Sequence, residues 1–319
     1  MTNLVVMGEC MVEFSPTTDG QYKQSFAGDV YNTAVYLKRL LAEASNVSLF
    51  SAVGKDFLSE KMLQSLTLEN ISSDFVEQSD FQQMGAYLIQ TSAEGERSFV
   101  YWRDTSAAKT TLSSLGDESK KELIRQTDIF YFSGISLAIL KPLDRQLFWQ
   151  LLGQLKKAGV RIVFDSNYRA KLWQNCEEAK GQFEQAFRYA HVVFPGVEDF
   201  ELLYGFNSFE AIAKHLEPLA IDEVIIKSGA DGMMCIGEGK SSFIPVSVVE
   251  NVVDTTSAGD SFNAGYLAAI QMGYSLPAAV EYAAKIAAIV IQHRGAIVPT
   301  DKFKQQVKHI DSLFNDELV

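Results

Sequence analysis

Cysteine is scarce. The chain has 319 residues and only three cysteines, Cys10, Cys176 and Cys235. They are odd in number, far apart, and form no Cys-x-x-Cys pair. A disulfide framework and a zinc site are therefore poor readings, and a reducing cytoplasmic setting is expected. Histidine is equally sparse: the four histidines are isolated and lack metal-ligand spacing. Basic charge is short as well. Lys and Arg number 28 against 40 Asp and Glu, for a net charge of −12. A nucleic-acid footprint needs clustered cations, so that partner class is excluded. An anionic ligand must instead be captured locally, against an unfavourable field. Long apolar runs are missing too. The run around Ala283 to Ile291 is interrupted by Lys285 and too short to span a bilayer. The first residues, Met1 to Glu9, lack a basic region followed by a long apolar stretch, so neither a signal peptide nor a membrane partner is expected. No internal repeat, low-complexity segment or Pro/Ser-rich linker is visible.

What is present is alternation. Leu4 to Met7, Val47 to Val53, Asp128 to Phe132, Val160 to Phe164, His191 to Phe194 and Glu223 to Lys227 read as short strands. Amphipathic helices follow most of them, such as Val30 to Ala44, Asp144 to Ala158 and Glu178 to Tyr189. Such alternation predicts a doubly wound, mostly parallel α/β sheet flanked by helices. Two β-only insertions break the rhythm, near residues 11–26 and 84–104. The second reads as a hairpin around Ser92 to Glu96. One domain over residues 1–319 is expected, with these insertions as a small β lid over the strand ends.

Residues 254–265 read Asp-Thr-Thr-Ser-Ala-Gly-Asp-Ser-Phe-Asn-Ala-Gly. An apolar run ends just before them and a helical pattern starts near Ala258. First-turn N–H groups lack intrahelical partners and carry the positive dipole end, which suits an anion such as phosphate. Asp260 stands beside that cradle. Either it accepts a proton from an attacking hydroxyl, or it simply stabilises the helix start. Gly28, Asp29 and Asn32 form a second candidate. Asp29 and Asn32 fall at i and i+3 and either bind sugar hydroxyls together or are an N-cap with an incidental Asn. Lys227, Gly229 and Gly232 follow a strand in neither Walker nor dinucleotide spacing, which on pattern alone is a strand-ending turn. Arg103 and Arg169 end strands. An arginine fork matches a carboxylate at two points, so the pair either grips an acidic substrate or makes two surface ion pairs.

Residues 254–260 resemble the Asp-Thr-x-Gly-Ala-Gly-Asp signature of the ribokinase-like (PfkB) carbohydrate kinases, with Ser257 where Gly is usual. The resemblance implies Asp260 as catalytic base, with the N–H groups of Ser257, Ala258, Gly259 and Asp260 around the transferring phosphoryl group. Ala27-Gly28 through Asn32 resembles the family's Gly-Gly-x-x-x-Asn sugar signature. Lys227 to Gly232 resembles its Lys-x-Gly-x-x-Gly nucleotide loop. Pro195 to Asp199 stands where Pro-Asn-x-x-Glu is usual, with Gly196 and Asp199 in the variable places; this implies a magnesium role for Asp199, the metal travelling mainly with ATP.

Gly8-Glu9-Cys10-Met11, Gly95-Glu96-Arg97, Tyr101-Trp102-Arg103, Ser133 to Leu137, Asn167-Tyr168-Arg169 and Arg294-Gly295-Ala296 resemble the branch of that family acting on 2-keto-3-deoxygluconate. That implies ATP-dependent phosphorylation of this sugar acid at carbon 6. Gly28, Asp29, Asn32, Tyr87, Tyr101, Arg103 and Arg169 would face the sugar acid. Asn167, Arg169, Lys227, Gly229, Gly232, Ser257 and Gly259 would face ATP. Some relatives carry an acid where Ala296 stands. The alternatives are a fructokinase or other neutral-sugar kinase, or a non-catalytic sugar-acid-binding regulator. A monovalent cation near Asp254 and a homo-oligomer through the lid are further expectations.

Overall fold

The computed structural model describes residues 1–17, 19–91 and 97–314. Thirteen strands are found among them. They are β1 (Thr2–Met7), β2 (Met11–Pro16), β3 (Tyr22–Ala27), β4 (Ser45–Val53), β5 (Ser72–Gln78), β6 (Ala86–Thr91), β7 (Arg97–Trp102), β8 (Ile129–Ser133), β9 (Arg161–Asp165), β10 (Val192–Phe194), β11 (Glu223–Lys227), β12 (Met233–Gly237) and β13 (Lys240–Ile244). Nine form one sheet in the order β13-β12-β11-β10-β9-β8-β1-β4-β5. From β5 to β11 every neighbouring pair is parallel; β12 and β13 add antiparallel at one edge.

Both faces of the sheet are covered, and the strand sequences show why. In β1, Leu4 and Val6 enter one core cluster while Val5 and Met7 enter the other. In β8, Tyr131 faces the first cluster and Phe130 and Phe132 face the second. Strands buried on both sides read as continuous apolar runs, as these do. Helix Asp29–Leu41 lays Val30, Ala34, Leu37 and Leu41 into the first cluster, with Lys38 and Arg39 favourably placed in its last turn.

The chain leaves the centre of the sheet in both directions. β1 continues outward to β4 and β5, while β8 begins the march to β11 on its other side. The strand order therefore reverses between β1 and β8. In open α/β sheets the crevice beyond the strand C-terminal ends at such a point is where ligands bind.

The two β-only insertions come together as a second sheet of order β3-β2-β6-β7. β2 pairs with β6 in parallel and with β3 antiparallel. The expected hairpin tip, Ser92 to Glu96, lies outside the described residues, as does Gly95-Glu96 of the branch-specific segments. The sequence reading missed β5, whose pattern Ser-Ser-Asp-Phe-Val-Glu-Gln buries only Phe75 fully. It also missed helix Asp117–Gln126, a charged segment that buries only Leu123. Both are too polar to give a strong period.

Candidate active site

Helix Ala258–Gln271 begins at Ser257, whose φ of 67° and ψ of 13° put it in the left-handed region. That region favours glycine, which explains the usual Gly at this place. The turn is held by Asp254: its carboxylate accepts from Thr256 N–H at 3.0 Å and from Gly295 N–H at 2.6 Å. This ties the phosphate-type turn to the Arg294-Gly295-Ala296 turn. The N–H groups of Gly259 and Asp260 have no backbone partner among the described residues. Unpaired first-turn N–H groups of this kind suit an anion. Ser257→Gly should relieve the left-handed strain by about 1 kcal/mol. A raised thermal melting midpoint is the expected outcome, and a lowered one would show that the Ser257 side chain matters more than its backbone.

Asp260 meets the first sugar-signature residues directly. Asn32 Nδ2 donates to Asp260 Oδ2 at 2.8 Å, and Thr33 Oγ1 donates to the Asp260 carbonyl at 3.3 Å. Asp260 keeps some surface open to the crevice, yet protein is dense around its carboxyl. Burial, with the Asp29 charge adding to it, raises its pKa to about 7, while the Asn32 bond opposes the rise. Asp29 Oδ2 accepts from Ser133 Oγ at 2.5 Å and from Asn167 Nδ2 at 3.0 Å. Burial raises its proton affinity too, with the Ser133 bond opposing. Ser133 ends β8 and Asn167 follows β9, and Asn167 adopts a left-handed φ of 30°. The two candidate motifs, with Asn32 and Asp260 228 positions apart in sequence, thus converge beyond the strand ends.

Gly28 has an architectural reason to be glycine. Its φ is 155°, and a Cβ there would lie 2.3 Å from the Glu9 carbonyl oxygen. This close approach sets helix Asp29–Leu41 against the end of β1.

The arginines are more occupied than sequence suggests. Arg103 forms an ion pair with Glu9, whose other oxygen accepts from Ser106 Oγ. Glu9 is 2% exposed. The Arg103 Nε–H is buried and has no partner among the described residues. The guanidinium carbon lies 5.8 Å from the Tyr101 ring centre. Burial raises the proton affinity of the Tyr101 hydroxyl, and the Arg103 and Arg169 charges oppose that rise. Arg169 donates to its own Tyr168 carbonyl at 2.9 Å and approaches Asp199 at 3.7 Å. The Tyr87 ring packs tilted against Tyr101 with ring centres 5.7 Å apart, and its hydroxyl is committed to Glu13.

Lys227 ends β11. Its ammonium donates to Asp165 at 3.1 Å and Asn263 at 3.0 Å, and a Cβ on Gly259 would lie 3.9 Å from it. Gly229 and Gly232 follow with left-handed φ values of 53° and 105°. Asp199 accepts from Ser166 Oγ at 2.7 Å, and burial raises its proton affinity. No group of three His, Cys, Asp or Glu residues spaced to hold a metal occurs among the described residues.

Glu9, Ser133, Asp165 and Asn263 were given no site role from the sequence, although Glu9 and Ser133 lie in segments that carry the family resemblance. A signal existed for each. Glu9, Ser133 and Asp165 stand at or just after strand C-terminal ends, and Asn263 falls one helical turn after Asp260.

Fold and crevice place the chain among α/β proteins that receive anionic ligands at a switch point. The sequence matches the pfkB family carbohydrate kinase description over residues 1–302, and the chain belongs to that family. It is 38% identical over 319 residues to the 2-dehydro-3-deoxygluconokinase of Haemophilus influenzae, covering 99% of this chain and 100% of that one. Among solved structures, the 2-dehydro-3-deoxygluconokinase of Thermotoga maritima aligns with a TM-score of 0.81 at 21% identity, over 97% of this chain and 100% of that one. A fructokinase of Xylella fastidiosa with bound ATP aligns with a TM-score of 0.79 at 18% identity, over 97% and 99%. The ribokinase-like resemblance and the fold class are borne out. No helix among the described residues is long and apolar enough to cross a membrane.

Proposed function

We propose that the protein transfers the γ-phosphoryl group of ATP to the carbon 6 hydroxyl of 2-keto-3-deoxygluconate. The observation that carries this reading is the union of two sets at one carboxylate. Asp260 stands in the bare first turn of helix Ala258–Gln271, where Gly259 faces the Lys227 ammonium; its carboxylate accepts from Asn32 and lies in the field of Asp29, which the Arg103 charge also reaches. A phosphate donor and a polyhydroxy acid both have natural places beside it. Similarity to 2-dehydro-3-deoxygluconokinases over almost the whole chain supports the choice of acceptor.

In this mechanism the sugar hydroxyl oxygen forms a bond to the γ-phosphorus as the bond to the β-bridging oxygen breaks, and ADP departs. The hydroxyl proton passes to Asp260. Asn32 fixes the carboxylate while leaving its second oxygen for that proton. The N–H groups at the start of helix Ala258–Gln271 and the Lys227 ammonium take charge on the transferring group. Arg103, already aligned by Glu9, offers its guanidinium charge and remaining N–H donors to the substrate carboxylate, and Arg169 adds positive charge nearby. The small sheet closes as a lid and limits water as a competing acceptor. Magnesium fits as an ion held chiefly by ATP phosphates and water, with Asp199 as a protein carboxylate nearby. The absence of a three-ligand group among the described residues suits that arrangement.

The test is ADP release with ATP and magnesium, comparing 2-keto-3-deoxygluconate, fructose, ribose and gluconate at equal concentration. A preference of about a hundredfold for the keto-deoxy acid is expected. Preference for fructose would discard the carboxylate argument and retain the phosphoryl-transfer half. Sugar-acid binding without turnover would make the protein a regulator built on the fold.

A further inference from the structure

The Lys227 ammonium has a second, uncharged partner whose role lies outside ligand contact. Asn263 is fully buried in helix Ala258–Gln271, one turn beyond Asp260. Its Nδ2 donates to Tyr131 Oη at 2.9 Å, and its Oδ1 accepts from Lys227 Nζ at 3.0 Å. Tyr131 is 1% exposed in β8. Burial and the Asp165, Asp29 and Asp260 carboxylates push its hydroxyl well above the ordinary phenol range, so it stays neutral. With the amide NH2 group anchored on Tyr131, the carbonyl must point the other way, at Lys227. A flipped amide would set its donors against an ammonium.

Lys227 has three other constraints. Asp165, 4% exposed, accepts at 3.1 Å. The Phe194 and Phe262 ring centres lie 5.4 and 5.8 Å away. The space over Gly259 is open, with the ammonium 3.9 Å from where a Cβ would be. Asp165 alone would draw the ammonium toward β9 and cancel its charge. Asn263 pulls it toward the helix without cancelling charge, because an amide carbonyl is a neutral acceptor.

We propose that Asn263 is a positioning residue that aims the Lys227 ammonium at the N-terminus of helix Ala258–Gln271, the seat of the transferring phosphoryl group. This rests on the reading of Lys227 and the helix start as the nucleotide-phosphate site. One helix then carries the anion cradle, the base and the residue that orients the cation, so their relative geometry is fixed by helical spacing.

A double-mutant cycle tests it. Asn263→Leu keeps the volume and removes both bonds. It should lower kcat by about thirtyfold in the otherwise native enzyme, with the sugar-acid KM unchanged. In a Lys227→Met background the same change should cost less than about twofold, because the residue it aims is gone. Equal losses in both backgrounds, with Lys227→Met itself strongly impaired, would overturn the proposal and leave the nucleotide reading intact. Lys227→Met with native kcat and native ATP KM would sink that reading and the proposal together. If Asn263→Leu does not fold, Tyr131→Phe completes the same cycle by removing only the anchor. It should cost about fivefold in native enzyme and nothing beside Lys227→Met. Additive losses there would overturn the proposal equally.

Discussion

Asp260→Asn will lower kcat by roughly a thousandfold while sugar-acid and ATP binding persist. Asparagine keeps the shape and can still meet Asn32, but it cannot accept the hydroxyl proton. Single-turnover assays and calorimetric binding separate the two effects; near-native turnover would remove Asp260 from the mechanism. The pH dependence gives an independent check. Asp260 has its pKa raised to about 7, chiefly by burial. As a base it works only when deprotonated, so kcat/KM should fall as pH drops through about 7, and the acid limb should vanish in Asp260→Asn.

Stability runs the other way. A carboxyl whose folded pKa exceeds its unfolded value binds more protons when folded. Folding is therefore weakened as pH rises from about 4 to about 7 through that group. Asp260→Asn should accordingly raise the melting temperature at pH 8 and change it little at pH 4. A gain in stability joined to loss of turnover is the signature of a functional charge held in an unfavourable place. The Asn32 bond and the helix dipole only partly offset that cost.

The parallel sheet was legible because its strands are buried on both faces and therefore uniformly apolar. Leu4 to Met7 and Val160 to Phe164 need no context to be read. Position in the sheet was a different matter. Nothing local in Leu4 to Met7 says that β1 lies at the centre and that order reverses beside it, yet that reversal makes the crevice. Asp260, Asn32 and Lys227 stood out as candidates because each sits in a short stretch of small and polar residues at an element boundary, but the pattern alone left Lys227 in a strand-ending turn and only the family resemblance suggested a role for each. Their contacts were not legible: Asn32 and Asp260 are 228 positions apart and meet at 2.8 Å. The arginines show the limit most clearly. The sequence supplied two cations with the chemistry for a carboxylate, but not Glu9, the buried carboxylate already holding one of them. That pairing depends on the small sheet folding back over the end of β1, a tertiary fact with no local pattern.

Arg103→Ala should therefore produce two effects at once. The KM for the sugar acid should rise by about a hundredfold while the KM for ATP changes little, because a charge-assisted contact to the substrate carboxylate is lost. The fold should also weaken by about 3–5 kcal/mol, because Glu9 would remain buried with Ser106 as its side-chain partner and no cation. Taken alone, the first effect would be open to the objection that a damaged fold binds substrate poorly. Glu9→Gln/Arg103→Ala separates the two. Neutralising the stranded carboxylate should recover most of the melting temperature, and the sugar-acid KM should stay high. Recovery of KM together with stability would mean that Arg103 serves only to hold the small sheet to the end of β1. Glu9→Gln alone completes the argument. It leaves Arg103 charged but held at most by a neutral amide oxygen, so the sugar-acid KM should rise by about tenfold, less than for loss of the charge itself. An unchanged KM in that variant would show that Arg103 finds the substrate without Glu9, and the tether would then be a matter of stability alone.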